Sequence, residues 1–174
     1  PPASRPLAAC RSCRALAVSR RFVCMQTGRN DDLACSGFLG IRVDTTKAHM
    51  VRAVLEAIAF RVYEIHDRML AELRPATDGR IRICGGIAAN DFVCQTVATL
   101  LDRRIERVED ASFTASRGVA LVAGYVKGLW TKQQMREMIR IDRTFEPSAE
   151  DRSELVRSYA DWQRAADRCS AYYA

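Results

Sequence analysis

One stretch constrains the fold of this chain more than any other. An alternating segment, residues 80–84, leads into Gly85 and Gly86, and a helical pattern then begins near Asn90. The first glycine permits a sharp turn out of a strand, and the second permits a ligand to approach backbone that a Cβ would block. Asn90 can cap the helix or turn its amide towards a ligand. The stretch therefore predicts a phosphate site beside a helix N-terminus or, alternatively, an ordinary strand-to-helix corner.

The patterns around this stretch indicate an α/β fold. A short apolar strand is predicted at residues 38–41, a long helix from about residue 46 to just before Pro75, and a further strand at residues 104–108. Strands that alternate with helices in this order are typical of α/β domains. Apolar residues at steps of three and four predict the buried stripe of the long helix, which consists of Val51, Val54, Leu55, Ile58, Val62, Ile65, Met69 and Leu73. The residues predicted to face inward on the helix that begins near Asn90 are Phe92, Val93, Val97, Leu100 and Leu101.

Three helices are predicted in the last third of the chain. Residues 112–130 are rich in Gly and Ala, which predicts a helix that another backbone approaches closely, against a sheet or along a cleft. Thr131 and Gln134 form a capping-box pattern at the start of a short helix. The last helix follows Ser148, and its predicted buried stripe consists of Leu155, Tyr159, Trp162, Ala166, Cys169 and Tyr173.

The positive charge is concentrated in the first residues. The formal net charge is +6, but six arginines precede Asp31, the first acidic residue, and the rest of the chain is closer to neutral. Residues 1–29 therefore predict a basic leader, which is either an unstructured or artefactual segment or a mitochondrial transit peptide. Nucleic-acid binding is disfavoured because no basic stripe with interleaved aromatic residues follows. No apolar run approaches the roughly 18 residues of a membrane span.

The seven cysteines do not form a convincing metal site. Cys10 and Cys13 make a CxxC pair, yet no second pair or His pair follows at the spacing of a zinc site. Reduced thiols in a cytoplasmic protein are the preferred interpretation. Cys84 beside the glycines is also considered as a redox switch, whereas His49 and His66 are predicted to be structural or exposed because no ligand partners accompany them.

Four blocks together resemble the C-terminal half of the FGGY carbohydrate kinases, most closely the glycerol kinase branch of that family. The first runs from Phe38 through the helix to Phe60. The second, from Cys84 to Phe92, is similar to the D-G-G-x-x-x-N-x-F loop. The third, from Thr114 to Ala120, resembles T-T-A-L-G-A-A, and the fourth, from Gly124 to Trp130, resembles A-G-L-A-V-G-F-W. The resemblance covers about residue 30 to the end, which predicts one incomplete kinase C-terminal domain over residues 30–174.

The resemblance implies an actin-like ATPase fold, related to ribonuclease H, in which two domains close on ATP and a polyol. It implies that Gly86 and Asn90 contact the nucleotide, with Gly85 as structural support. The catalytic Asp, the first phosphate loop and most polyol contacts belong to an N-terminal domain absent from this chain, so neither a catalytic residue nor a metal ligand is expected here. Expected cofactors are ATP and Mg²⁺, and expected partners are glycerol or a similar polyol, the missing domain and a second copy in a homo-oligomer.

Departures from the family pattern leave several functions open. Cys84 replaces the Asp before the two glycines, Asp102 replaces a glycine at a helix end, and Arg117 replaces a leucine. The leading hypothesis is the ATP-binding part of a glycerol kinase of a divergent animal type, inactive without its N-terminal domain. A catalytically inactive remnant that acts by association is one alternative, and a kinase for xylulose or gluconate is another. A cytoplasmic location is expected, with mitochondrial association as the alternative.

Overall fold

The computed structural model describes residues 17–19, 34, 37–72 and 79–170. The chain divides into two compact units, of which the first contains the described residues up to 72 together with those from 150 onwards, and the second runs from residue 79 to 149. Among the described residues, no helix is long and apolar enough to cross a membrane. The mixture of helices with a partly parallel sheet confirms the predicted α/β class.

The first unit is built on two long helices, α1 (Lys47–Glu72) and α5 (Ala149–Cys169). The helix α1 begins as predicted, because the backbone N–H of His49 donates to Oγ1 of Thr46 at 3.4 Å while the N–H of Thr46 donates to Nδ1 of His49 at 3.3 Å. The imidazole thus has the role of the Glu or Gln of a capping box, which confirms a structural role for His49. The predicted end of this helix near Pro75 lies outside the described residues.

The buried face of α1 differs from the predicted stripe. Of the predicted stripe, Ile58 is buried, Val54, Leu55 and Ile65 are half-buried, and Val51, Val62 and Met69 are exposed. The buried residues of the helix are Ala53, Ala57, Ile58, Ala59, Phe60 and Glu64. Apolar residues occur on more than one side of this helix, so that periodicity alone could not select the face. The packing partner selects it, since the Phe60 ring lies 5.8 Å from that of Tyr159 and 5.9 Å from that of Trp162 on α5.

The stripe of α5 is confirmed over its described part. Leu155, Trp162, Ala166 and Cys169 are buried and Tyr159 is half-buried. The rings of Tyr159 and Trp162 stack at 5.9 Å, which adds aromatic packing to the burial of apolar area. Tyr173, the last predicted member of the stripe, lies outside the described residues.

A two-stranded antiparallel sheet is also part of the first unit. It pairs β1 (Ala17–Ser19) with β2 (Gly37–Leu39), with Val18 opposite Phe38. The strand β2 agrees with the prediction for residues 38–41. The strand β1 lies inside the predicted unstructured leader, so at least its three residues have regular structure. The remaining residues of that leader, including the CxxC pair, lie outside the described residues.

The second unit contains a three-stranded sheet in the order β3 (Ile81–Ile83), β4 (Ile105–Val108) and β5 (Ile141–Phe145). The strands β3 and β4 are parallel, as expected for strands joined through a helix, and β5 runs antiparallel to β4. The helix α2 (Asp91–Leu101) connects β3 to β4 and packs against the sheet. Of its predicted inward residues, Val93, Val97 and Leu100 are almost completely buried, Leu101 is buried and Phe92 is half-buried.

The sequence did not predict β5. Ile139, Ile141 and Phe145 lie at alternate positions, but Arg143 interrupts the apolar pattern. Of these residues only Phe145 is buried, and the segment is short. The pairing of β5 with β4 depends on contacts more than 30 residues apart, for example between Arg107 and Asp142. Such contacts are invisible to a local pattern.

The helices α3 (Thr114–Val126) and α4 (Lys132–Glu137) complete the second unit. The predicted capping box of α4 is present, with Thr131 and Gln134 bonded reciprocally. A close approach to α3 also occurs, but the approaching group is a side chain and not a backbone. The indole of Trp130 lies over Gly124, where a Cβ would overlap the ring, and its Nε1 donates to the Leu121 carbonyl at 2.7 Å.

Candidate functional site

The candidate site is the loop that leaves the carboxyl end of β3. Gly85 has φ 98° and ψ 168°, a backbone conformation that essentially only glycine adopts. In this conformation its N–H donates to the Ala111 carbonyl at 2.7 Å, which connects the loop to the turn after β4. Gly85 therefore sets the direction of the loop, and its role as support for a nucleotide site stays a prediction.

The next residues form a single 3₁₀ turn, Gly86–Ala89, in front of α2. The Ala88 N–H donates to the Gly85 carbonyl and the Asn90 N–H donates to that of Ile87, both at 3.0 Å. Within the described chain, the N–H groups of Gly86 and Ile87 have no acceptor. No atom lies within 4 Å of an ideal Cβ built on Gly86, so a ligand has room to approach this backbone. Two neighbouring donors without an acceptor in an open turn suit an anion such as a phosphate.

Asn90 caps α2. Its Oδ1 accepts from the N–H of Phe92 at 3.0 Å and from that of Val93 at 3.4 Å. The capping satisfies the helix end and orients the exposed side chain, whose Nδ2 donates to no other described residue. Both sequence-level roles for Asn90 are thus compatible, because the oxygen caps while the nitrogen can still donate to a ligand.

A group of four charged residues lies beside this loop. Arg107 on β4 donates to Oδ1 of Asp91 at 2.6 Å and to Oδ2 of Asp142 at 2.7 Å, and Arg143 on β5 contacts the other oxygen of Asp91. Burial alone would lower the pKa of Arg107, but the hydrogen bonds to Asp91 and Asp142 outweigh it and the pKa is raised. The guanidinium therefore remains charged at any physiological pH.

Two cysteines occupy different environments near the loop. Cys84 is an exposed free thiol directly before Gly85. Cys94 is completely buried on α2, where its Sγ donates to the Ala88 carbonyl at 3.2 Å. Burial raises the pKa of the Cys94 thiol, and the charge of Arg107 offsets only part of this effect. Cys94 is thus an inert structural thiol.

The other two departures noted in the sequence have structural explanations. Asp102 has φ 53° and ψ 40° at the C-terminus of α2, a left-handed conformation in which glycine is usual. Arg117 on α3 donates to the Glu109 carbonyl at 3.1 Å and to Oδ2 of Asp110 at 2.9 Å. Arg117 therefore fixes the turn after β4, the same turn that accepts the Gly85 N–H.

Comparison with known proteins agrees with this geometry. The family model for the C-terminal domain of the FGGY carbohydrate kinases matches residues 13–126, which is more than half of the chain. The chain belongs to the FGGY family of carbohydrate kinases. The resemblance seen in the four sequence blocks is thereby confirmed, although the match begins at residue 13, inside the predicted leader, and not near residue 30.

Individual relatives of this FGGY chain are glycerol kinases. Glycerol kinase 5 of Danio rerio is 38% identical over 159 residues, and glycerol kinase 5 of Gallus gallus is 34% identical over 149 residues. The matches cover 87% and 85% of this chain but only 30% and 28% of the two relatives. The chain therefore spans less than a third of their length.

A solved structure supports the fold assignment. Plasmodium falciparum glycerol kinase with ADP superimposes with a TM-score of 0.71 over 88% of this chain and 30% of that chain, at 24% identity. The predicted actin-like ATPase fold is thus confirmed. Among the described residues, no group of three or more His, Cys, Asp or Glu side chains is arranged to hold a metal ion.

The sequence interpretation did not recognise the charged group around Asp91. A signal for it exists, because alternation places Ile105 and Arg107 on the same face of β4, and Ile105 is completely buried. A charged residue on the inward face of a strand needs a partner. The identity of that partner could not be deduced, because Asp91 and Asp142 lie 16 and 35 residues away.

Proposed function

We propose that this chain is the ATP-binding C-terminal part of an ATP-dependent glycerol kinase. The observation that carries the proposal is the turn Gly86–Ala89, beside the capped start of α2. Two of its backbone N–H groups have no acceptor among the described residues, and the Cβ position of Gly86 is open. Membership in the FGGY family, whose members are carbohydrate kinases, supports a nucleotide as the ligand of this turn. Gly86 and Asn90 would contact the nucleotide, and Gly85 would hold the turn in position.

ATP would supply the γ-phosphoryl group, which passes to a hydroxyl of glycerol to give glycerol 3-phosphate and ADP. Phosphoryl transfer depends mainly on position and on charge neutralisation, so a rigid loop with aligned donors contributes directly to it. In this chain the N–H groups of Gly86 and Ile87 and the Nδ2 of Asn90 would orient the phosphates. The base that accepts the hydroxyl proton and the ligands of Mg²⁺ would come from the N-terminal domain.

A coupled assay of the complete protein tests this proposal. We expect ADP formation that requires both glycerol and Mg²⁺, with weaker or no turnover of xylulose and gluconate. The named glycerol kinases among its relatives favour glycerol over the two sugars. A folded complete protein that binds neither ATP nor ADP, and that phosphorylates none of the three substrates, would contradict the proposal.

The second candidate function is that of a catalytically inactive protein that acts by association. Cys84 favours it, because a thiol stands where the family has a carboxylate next to the nucleotide. Comparison of the wild type with Cys84→Asp in the same assay separates the two functions. Turnover that appears only in the Asp variant would support the inactive form, whereas equal and robust turnover in both proteins would exclude it.

The exposed face of α3 supports the proposed partnership with an N-terminal kinase domain. Val119, Val122 and Val126 recur at helical spacing and are each more than half exposed, as are Phe113 and Leu129 beside them. An apolar stripe of this kind is a typical interaction surface. Since the matches cover only 28% and 30% of the two relatives, we propose that a domain corresponding to their additional chain covers this face. Val122→Asp should then lower the unfolding temperature of the complete protein but not that of this chain alone, and equal effects on both would exclude this partner.

A cytoplasmic location, association with mitochondria and a homo-oligomeric state also remain proposals. Imaging of the tagged complete protein tests the location, and light scattering of the purified protein tests the oligomeric state. A signal confined to mitochondria would exclude the cytoplasmic location, and a monomer at micromolar concentration would exclude the oligomer.

A further inference from the structure

Arg107 connects the glycine loop to the sheet beneath it. The residue lies towards the carboxyl end of β4, next to the point where the parallel strand β3 enters the loop, and its side chain is only 13% exposed. Its Nη1 donates to the Ala88 carbonyl at 3.1 Å and to Asp91 at 2.6 Å. Its Nε donates to Asp142 at 2.7 Å, and the guanidinium lies 5.5 Å from the centroid of the Phe145 ring. The loop, α2 and β5 are thus all held by one side chain.

The loop itself supplies few anchors. Gly85 and Gly86 have no side chains, and Ile87 is about half exposed. The side chain of Ala88 is buried, and its carbonyl accepts from both Arg107 and Cys94. A hydrogen bond from a charged donor to a buried carbonyl is stronger than one from a thiol. Arg107 therefore contributes most of the polar interaction that fixes the middle of the loop.

The charge of Arg107 matters as much as its hydrogen bonds. Asp91 is the first residue of α2, directly beside Asn90, so an unpaired carboxylate there would repel a phosphate at the loop. Arg107 and Arg143 lie opposite each other on β4 and β5 and together contact both oxygens of Asp91. The two arginines thus neutralise the carboxylate, and the helix N-terminus retains its attraction for anions.

We infer that Arg107 is a positioning residue for the nucleotide phosphates, which holds the Ala88 carbonyl and neutralises Asp91 without touching the ligand itself. The inference rests on the proposed ATP-binding role of the loop. It differs from a purely structural role in one consequence. The loss of Arg107 leaves Asp91 with Arg143 as its remaining partner and leaves the group with one excess negative charge, which should weaken nucleotide binding even in a protein that is fully folded.

The test uses the complete protein, with the dissociation constant of ADP measured by calorimetry and the KM for ATP measured in parallel. Arg107→Met should weaken ADP binding and raise the KM for ATP by at least about tenfold, while the KM for glycerol changes less than about threefold. Arg107→Lys retains the positive charge but lacks the planar guanidinium, so its ADP affinity and its KM for ATP should lie between those of the wild type and Arg107→Met. Arg104→Met is the matched control, because Arg104 forms an exposed ion pair with Glu146, outside the loop network.

A double variant separates charge from folding. Asp91→Asn combined with Arg107→Met removes the excess negative charge beside the loop and should recover part of the lost ADP affinity, which a general packing defect would not allow. ADP affinity within twofold of wild type in Arg107→Met, or no recovery in the double variant, would overturn the inference. If Arg107→Met does not fold, Arg107→Lys replaces it, and ADP affinity within twofold of wild type in Arg107→Lys would then overturn the inference. A folded wild type that binds no nucleotide would overturn the proposed function and this inference with it, whereas wild-type binding that Arg107→Met retains overturns the inference alone.

Discussion

The same substitution at two neighbouring glycines should affect different properties, namely stability at Gly85 and ADP binding at Gly86. Gly85 has φ 98° and ψ 168°, so Gly85→Ala forces a side chain into a conformation that costs about 1–3 kcal/mol. The strain acts on the turn whose N–H donates to Ala111 at 2.7 Å. Gly86 starts a 3₁₀ turn at negative φ with open space around it, so Gly86→Ala should change the free energy of unfolding by less than about 0.5 kcal/mol.

The measurements are urea unfolding of the 174-residue chain and ADP binding to the complete protein. We expect Gly85→Ala to lower the free energy of unfolding and Gly86→Ala to leave it unchanged. A Cβ on Gly86 should nevertheless weaken ADP binding by about tenfold or more, or about 1.4 kcal/mol, because it occupies the space that the phosphate needs. Equal unfolding free energies for the two variants, or full ADP affinity in Gly86→Ala, would refute this division of roles.

Three further predictions concern stability. Asp102→Gly should be about 1 kcal/mol more stable than Asp102→Ala, because both lack the carboxylate and only glycine tolerates φ 53° without strain; equal midpoints in urea would contradict this. Trp162→Ala should lower the free energy of unfolding by about 3–5 kcal/mol, because the Trp162 ring is buried against Phe60 and Tyr159. A smaller loss of unfolding free energy than that of Val156→Ala, at an exposed position of the same helix, would disprove this packing. Burial raises the pKa of Glu56 despite its bond to Arg52, so the folded protein binds this proton more tightly than the unfolded chain does. The stability that depends on Glu56 is therefore present at acidic pH and is lost as the pH rises through the raised pKa. Over that pH range the free energy of unfolding of Glu56→Gln should rise relative to that of the wild type. A difference in unfolding free energy that stays constant from acidic to neutral pH would refute this.

Local signals were enough to predict the elements around the site. The Asn90 cap, the inward residues of α2 and the capping box at Thr131 each depend on residues within three or four positions. The predicted stripe of α1 was wrong at Val51 and Val62, because the face was decided by aromatic residues of α5 about 100 positions later. The strand β5 and the charged group around Asp91 were missed for the same reason, since their partners are distant in sequence.

The substitutions that distinguish this chain from the family pattern do not disturb the loop. Asp102 adopts the left-handed conformation that a glycine would, and Arg117 bonds to the turn that accepts the Gly85 N–H. Cys84 precedes Gly85, yet the bond from Gly85 to Ala111 and the cap by Asn90 are both formed. The backbone that would hold a nucleotide is therefore complete without the carboxylate. The missing carboxylate would instead change the charge near a bound nucleotide. The comparison of wild type with Cys84→Asp in the kinase assay therefore tests phosphoryl transfer and not folding.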